Sequence, residues 1–196
     1  DSPGSRLGFG RIKGLELALG ARIARWREAL PEQDGDPDRV KNALMRETGI
    51  CREQMEVLAA AGALQTLSGH RHRAFWDAAG VEPPMALLGH PRFSEGAPLL
   101  ATPTEGEDIV ADYASLRLTL GRHPLAVLRP RLDACGVTPS DALRSRATGT
   151  PVTVCGLVVG RQRPGSASGV IFMTLEDESG LINLVIWPKV LERYRR

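Results

Sequence analysis

Three runs of Val, Ile and Leu near the end of this chain constrain its fold more than any other feature: Pro151 to Val159, Val170 to Asp177 and Leu181 to Trp187. A basic segment with Gly, Pro and Ser separates the first two, and Glu176-Asp177-Glu178-Ser179-Gly180 separates the last two. Apolar runs bounded by turn residues predict consecutive antiparallel strands. Such a series begins a small Greek-key barrel. In the first run both alternating sets, Val152/Val154/Val158 and Cys155/Leu157/Val159, are largely apolar. This predicts a strand buried on both faces, with Gly156 at a bend or bulge and Cys155 as a small buried hydrophobe.

The first half has a different period. After the polar, turn-rich Asp1 to Ser5, which is set aside, Leu7, Phe9 and Ile12 lead into Lys13-Gly14-Leu15. Leu19, Ile23, Trp26 and Leu30 then recur at intervals of four, three and four, the mark of an amphipathic helix. A short apolar element, a turn with Gly and an arginine-bearing helix form the pattern of a helix-hairpin-helix. Gly permits the tight turn, and N–H groups at the next helix start can point at a phosphate. Glu16 brings a negative charge to that place, and a hairpin used only for packing is the alternative.

A loop over Glu32 to Asp38 precedes a predicted helix through Val40, Leu44 and Thr48, and Gly49-Ile50 turns the chain into another from about Cys51 to Ala61. This repeats the plan of residues 7–30 as a tandem. Cys51 with Gln54 has capping-box spacing. Arg71, His72 and Arg73 open a further short helix, with Ala74, Phe75 and Ala78 available for packing. His70 and His72 read as a solvated helix start, since no Cys or carboxylate stands at ligand spacing.

Residues 81–106 are rich in Pro and Gly and predict a surface linker. Thr104 and Glu107 form a capping box for a helix through Ile109, Val110, Tyr113 and Leu116, extending toward Leu120. Pro124 starts another helix, and His123 before it is a boundary residue, because no carboxylate or nucleophile is identifiable beside it.

Bulk properties exclude several classes. Three widely spaced cysteines without a CxxC pair indicate neither a disulfide framework nor zinc, and fit a reducing cytoplasm. The apolar runs fall far short of the ~20 residues a membrane helix needs, so no membrane partner is expected. A net charge of +2 leaves nucleic-acid binding to the distribution of arginines. Arg161 and Arg163, in the loop after the first strand, either meet phosphate or are solvated charge. Phe172 either stacks a base or packs inward. Glu176, Asp177 and Glu178 are assigned to the turn.

Taken together, Val152-Thr153-Val154-Cys155-Gly156-Leu157-Val158, Arg161-Gln162-Arg163-Pro164-Gly165-Ser166-Ala167, Phe172 to Gly180 and Asn183-Leu184-Val185-Ile186-Trp187-Pro188 resemble the OB domain of bacterial C-family DNA polymerases. Arg161 to Ser166 and Trp187-Pro188-Lys189-Val190 favour the error-prone branch over the replicative polymerase III alpha subunit. Ile12-Lys13-Gly14-Leu15 resembles that family's first hairpin, Ala61-Gly62-Ala63-Leu64 the close of its second, and His123-Pro124-Leu125 the turn before its OB domain.

The resemblance implies an α+β chain. Residues 1–80 would form a tandem helix-hairpin-helix DNA-binding domain, 81–106 a linker, 107–148 a helical connector, and 149–196 strands one to three of an OB domain. It implies the C-terminal region of an error-prone polymerase serving translesion synthesis and induced mutagenesis, which grips duplex and single-stranded DNA through Lys13, Gly14, Arg161, Arg163 and Phe172. No cofactor is expected in this segment; Mg2+ is implied for the parent enzyme, whose palm carboxylates match nothing here, so the segment is not expected to catalyse. An OB barrel has five strands, and the chain stops at Arg196, so truncation or disorder beyond that residue is expected, with exposed strand edges. Docking onto accessory mutagenesis proteins through the linker and helix 107–120 is the alternative function. A fragment of an aminoacyl-tRNA synthetase is disfavoured by the hairpin tandem.

Overall fold

Apolar side chains three and four apart give each helix of the first half one buried stripe. The computed structural model describes residues 7–30, 37–80, 99–165 and 169–194. Expectations for Asp1 to Ser5, the loop at 32–36, the linker at 81–98, and Ser166 to Ser168 lie outside these residues. A 3-10 turn at Phe9–Arg11 leads into α1 (Leu17–Glu28), α2 (Pro37–Thr48), α3 (Arg52–Ala60), α4 (Gln65–Ser68), α5 (Arg71–Ala79) and α6 (Glu105–Leu116). Leu19 and Ile23 of α1, Leu44 of α2, Met55 and Leu58 of α3, and Ala74 and Ala78 of α5 meet in one apolar core. Leu19, Met55 and Leu58 are each 1% exposed, and burying one such side chain stabilises by about 1.5–3 kcal/mol.

α6 starts at the predicted capping box: Glu107 N–H donates to Thr104 Oγ1, and Thr104 N–H to the Glu107 carboxylate at 2.7 Å. It stops at Leu116, short of Leu120, because Arg117 enters the left-handed region at φ 63°. α5 corrects one expectation and adds a feature. Arg71, Ala74 and Ala78 share its inner stripe, so Arg71 is buried at 5% exposure while Phe75, expected to pack, is 39% exposed.

The second half contains α7 (Pro124–Ala134), α8 (Ser140–Leu143), β1 (Leu157–Gln162), β2 (Ile171–Glu176), β3 (Leu181–Ile186) and α9 (Pro188–Tyr194). The strands form an antiparallel sheet in the order β1-β2-β3. The fold is therefore α+β, helical first and then a three-stranded sheet.

β1 begins later than its alternation predicts. Before it, Thr153 makes only an isolated parallel bridge with Val137. At Gly156 the backbone passes so close to β2 that a Cβ would lie 2.7 Å from Leu175 Cβ and 2.9 Å from the Glu176 carbonyl oxygen. The bulge lies further on: the register slips between Val158 and Gly160, leaving Val159 as the extra residue. Burial on both faces is also corrected. Val158 and Val159 are 58% and 52% exposed, and Cys155 is half-buried. Arg161 and Gln162, expected in a loop, continue the strand.

The chain divides into two compact units, Asp1–Leu120 and Gly121–Arg196, which places α6 in the first and α7 in the second. No helix among the described residues is long and apolar enough to cross a membrane.

Candidate nucleic-acid interface

Lys13-Gly14-Leu15-Glu16 and Thr48-Gly49-Ile50-Cys51 fold alike. Gly14 and Gly49 turn left-handed at φ 85° and 63°, a conformation that costs glycine no Cβ clash. The following residue anchors each turn in the core, Leu15 at 8% and Ile50 at 6% exposure. The next is the N-cap, Glu16 for α1 and Cys51 for α3. At α3 the predicted capping box forms, with Cys51 N–H donating to Gln54 Oε1 at 3.0 Å. At α1 the Glu16 side chain makes no capping hydrogen bond, so it leaves to the first N–H groups the donor capacity of a helix start.

Lys13 and Gly14 are both exposed. The Lys13 N–H, however, is already donated to the Ser115 carbonyl at 2.9 Å. Of Lys13, the ammonium is what a phosphate can meet.

In the sheet, residues in register share a face. Phe172 pairs with Gln162 on one side and Val185 on the other, and Thr174 pairs with Asn183. This face is open: Phe172 is 44% and Val185 51% exposed, and Thr174 Oγ1 donates to Asn183 Oδ1 at 2.9 Å. Phe172 thus points outward. The other face carries Ile171, Leu175 and Ile182, exposed by 2%, 7% and 6%.

Arg161, registered with Met173, belongs to that second face. The structure therefore separates Arg161 from Phe172. Arg163 follows β1, and a Cβ on Gly169 would lie 3.6 Å from its guanidinium and 3.5 Å from the Pro188 ring. It stands at the root of α9. Gln162, opposite Phe172, and Asn183, opposite Thr174 on the same face, were not assigned as contacts because uncharged amides carry no pattern.

Other charged groups have structural work. Asp177, at 3% exposure, accepts hydrogen bonds from Ser140 N–H and Oγ at 2.7 Å and from Ser179 and Gly180 N–H at 2.9 Å. Burial opposes its ionisation, but the Ser140 and Ser179 donors outweigh it and hold the carboxyl at about 2. Arg129 grips the neighbouring Glu178 with Nε and with Nη2, the latter at 2.9 Å. Asp177 is in the turn as assigned; its long-range bond to Ser140 had no local signal. In the first unit a polar groove of about 340 Å³ lies between α2, α4 and α5. Its Lys41 is held by Asp77 at 2.6 Å and Asp38 at 2.8 Å, and Arg73 by Asp77 at 2.9 Å.

The histidines also serve backbone. His70 Nδ1 caps α5 by accepting from Arg73 N–H at 3.2 Å, and His123 Nδ1 accepts from Leu125 N–H at 3.2 Å at the start of α7. Among the described residues no three His, Cys, Asp or Glu are arranged to hold a metal ion.

Two family models match the chain, a helix-hairpin-helix motif over residues 4–74 and an OB-fold nucleic acid binding domain over residues 152–196. The chain is also similar to proteins named error-prone DNA polymerase. It is 45% identical over 195 residues to that of Methylococcus capsulatus, 44% over 194 to that of Alkalilimnicola ehrlichii, and 45% over 197 to that of Pseudomonas paraeruginosa. These alignments cover 100%, 99% and 100% of this chain and 18%, 18% and 19% of the relatives. The chain thus spans less than a fifth of their length.

Proposed function

We propose that this chain, homologous along its whole length to a portion of the error-prone DNA polymerases, is the part of such an enzyme that holds DNA. In this reading the hairpins at Gly14 and Gly49 meet the phosphates of primer–template duplex, with Lys13 supplying charge. The open sheet face at Phe172 receives single-stranded template by stacking, while Arg161 and Arg163 contact phosphates from the strand and its following turn. The work of the parent enzyme is synthesis past template damage, with induced mutagenesis as its outcome. In this reading nucleotidyl transfer and its Mg2+ are assigned to residues of the parent enzyme other than those of this segment.

The observation that carries this reading is that two like hairpins and an OB-fold sheet with an outward Phe172 occur in one homologous stretch. Titration with duplex, primer–template and single-stranded DNA at two salt concentrations tests it. Binding should weaken steeply with salt, each duplex phosphate contact adding about 0.9 to the log–log slope. Lys13→Ala should lower that slope by about 1. Phe172→Ala should weaken single-strand binding by about 1–3 kcal/mol. A chain that ignores DNA at low salt yet retains an accessory mutagenesis protein would favour the docking alternative, for which Val110 and Tyr113 of α6, 70% and 37% exposed, offer a surface.

A further inference from the structure

Arg71 reaches well beyond its own helix. Its Nη1 donates to the Asp108 carbonyl at 3.0 Å and carboxylate at 2.7 Å, and its Nη2 to Asp112 Oδ1 at 2.6 Å. Asp112 is itself 6% exposed, and its other oxygen accepts from Thr119 Oγ1 at 3.2 Å and Leu120 N–H at 3.1 Å. Gly62, in the turn after α3, leaves room for the guanidinium, since a Cβ there would approach Nη2 to 3.1 Å. Three residues beyond Asp112, the Ser115 carbonyl takes the Lys13 N–H at 2.9 Å, and Leu116 enters the core.

These contacts form one continuous connection. The guanidinium grips α6 at two successive turns, so it fixes both the axial position and the rotation of that helix. The last turn of α6 then fixes the backbone of the first hairpin. Charge attraction inside the unit escapes the screening that weakens surface pairs. We propose that Arg71 is a positioning residue which, through Asp108 and Asp112 on α6, sets the place of the Lys13-Gly14 turn and so its presentation to a phosphate. The inference rests on the reading of that hairpin as a DNA contact, although Arg71 itself touches no ligand.

Removing one partner of a buried pair can unfold a protein, whereas replacing both by apolar residues often preserves the fold. The test therefore uses Arg71→Met alone and Arg71→Met with Asp112→Leu, in the whole chain. Amide hydrogen exchange is read first, without DNA. The Lys13 amide should exchange about tenfold faster in the double variant while amides in the middle of α1 and α3 keep their protection. Uniform acceleration across the unit, which marks a general loss of stability, or unchanged exchange at Lys13, overturns the inference.

Binding of a short duplex is read second. Affinity should fall about tenfold with a shallower salt dependence, as one phosphate contact is misplaced. A freed Lys13 amide with unchanged affinity overturns the link to presentation. If the unaltered chain itself ignores duplex, the proposed function falls, and the amide pattern alone decides whether Arg71 sets the turn.

Discussion

In the helical unit a buried charge, Arg71, stands beside an apolar core that already joins α1, α2, α3 and α5; in the sheet unit a buried charge, Asp177, ties α8 to the turn of a sheet with one open face. Arg71 meets opposite charges, Asp108 and Asp112. Asp177 is held chiefly by neutral N–H and O–H donors, with Arg129 Nη2 further off at 3.8 Å. The difference concerns what each unit can lose. The first has many apolar contacts in reserve and uses its charge to place an outer helix. The second has fewer, and its carboxylate takes a larger share of holding the elements together.

The largest effect that sharpens this contrast is expected from Asp177→Ala. It strips the acceptor from the Ser140, Ser179 and Gly180 N–H groups and from the Ser140 hydroxyl; the two buried Ser140 donors cost about 1–3 kcal/mol each when left unpaired, so a loss of about 3–5 kcal/mol is expected. Hydrogen exchange should show it in α8, β2 and β3; a loss below 1 kcal/mol would mean that the sheet unit does not depend on its latch. Next comes Leu58→Ala, at 1% exposure, expected to cost about 2–5 kcal/mol and to be read in α1 and α3 amides. If it spares them, the helical core is not the cooperative body described.

Acid should then test the Asp177 latch. The folded-state value for Asp177, about 2, lies below its ordinary 3.8. The stability it confers is therefore present above about pH 4 and is lost as pH falls toward 2, amounting to about 2 kcal/mol. Far-ultraviolet melts between pH 5 and 2 on the chain and on Asp177→Asn should converge at the acid end; parallel curves would contradict this. The smallest effect is expected from Val185→Thr on the open face, within about 0.5 kcal/mol, and a greater loss by denaturant titration would show that this face carries packing.

The sequence exposes packing better than fastening. Leu19, Ile23, Met55 and Leu58 announce their helices by spacing, and Thr104 with Glu107 marks a helix start that the structure reproduces. The resemblance to error-prone polymerases, carried by short runs on both halves, is upheld by relatives that align along the whole chain. Arg71 was hidden because its type suggests solvent, although it stands three before Ala74 and seven before Ala78 on their stripe. Asp177 looked like ordinary turn chemistry because Ser140, its partner, is 37 residues away. Glycine marked both hairpin turns, since a left-handed residue leaves a compositional trace. The side on which Arg161 falls leaves none, because it depends on pairing with β2.

That pairing has a further consequence through the extra residue at Val159. Had the register of Leu157 and Val158 run on unbroken, Arg161 would stand opposite Phe172; with the slip, Gln162 does. A base lying on Phe172 would therefore meet a neutral amide, able to donate and to accept, rather than a fixed positive charge. Stacking and amide hydrogen bonds release no counterions, so the hold on that face should persist as ionic strength rises while lysine and arginine contacts elsewhere fade.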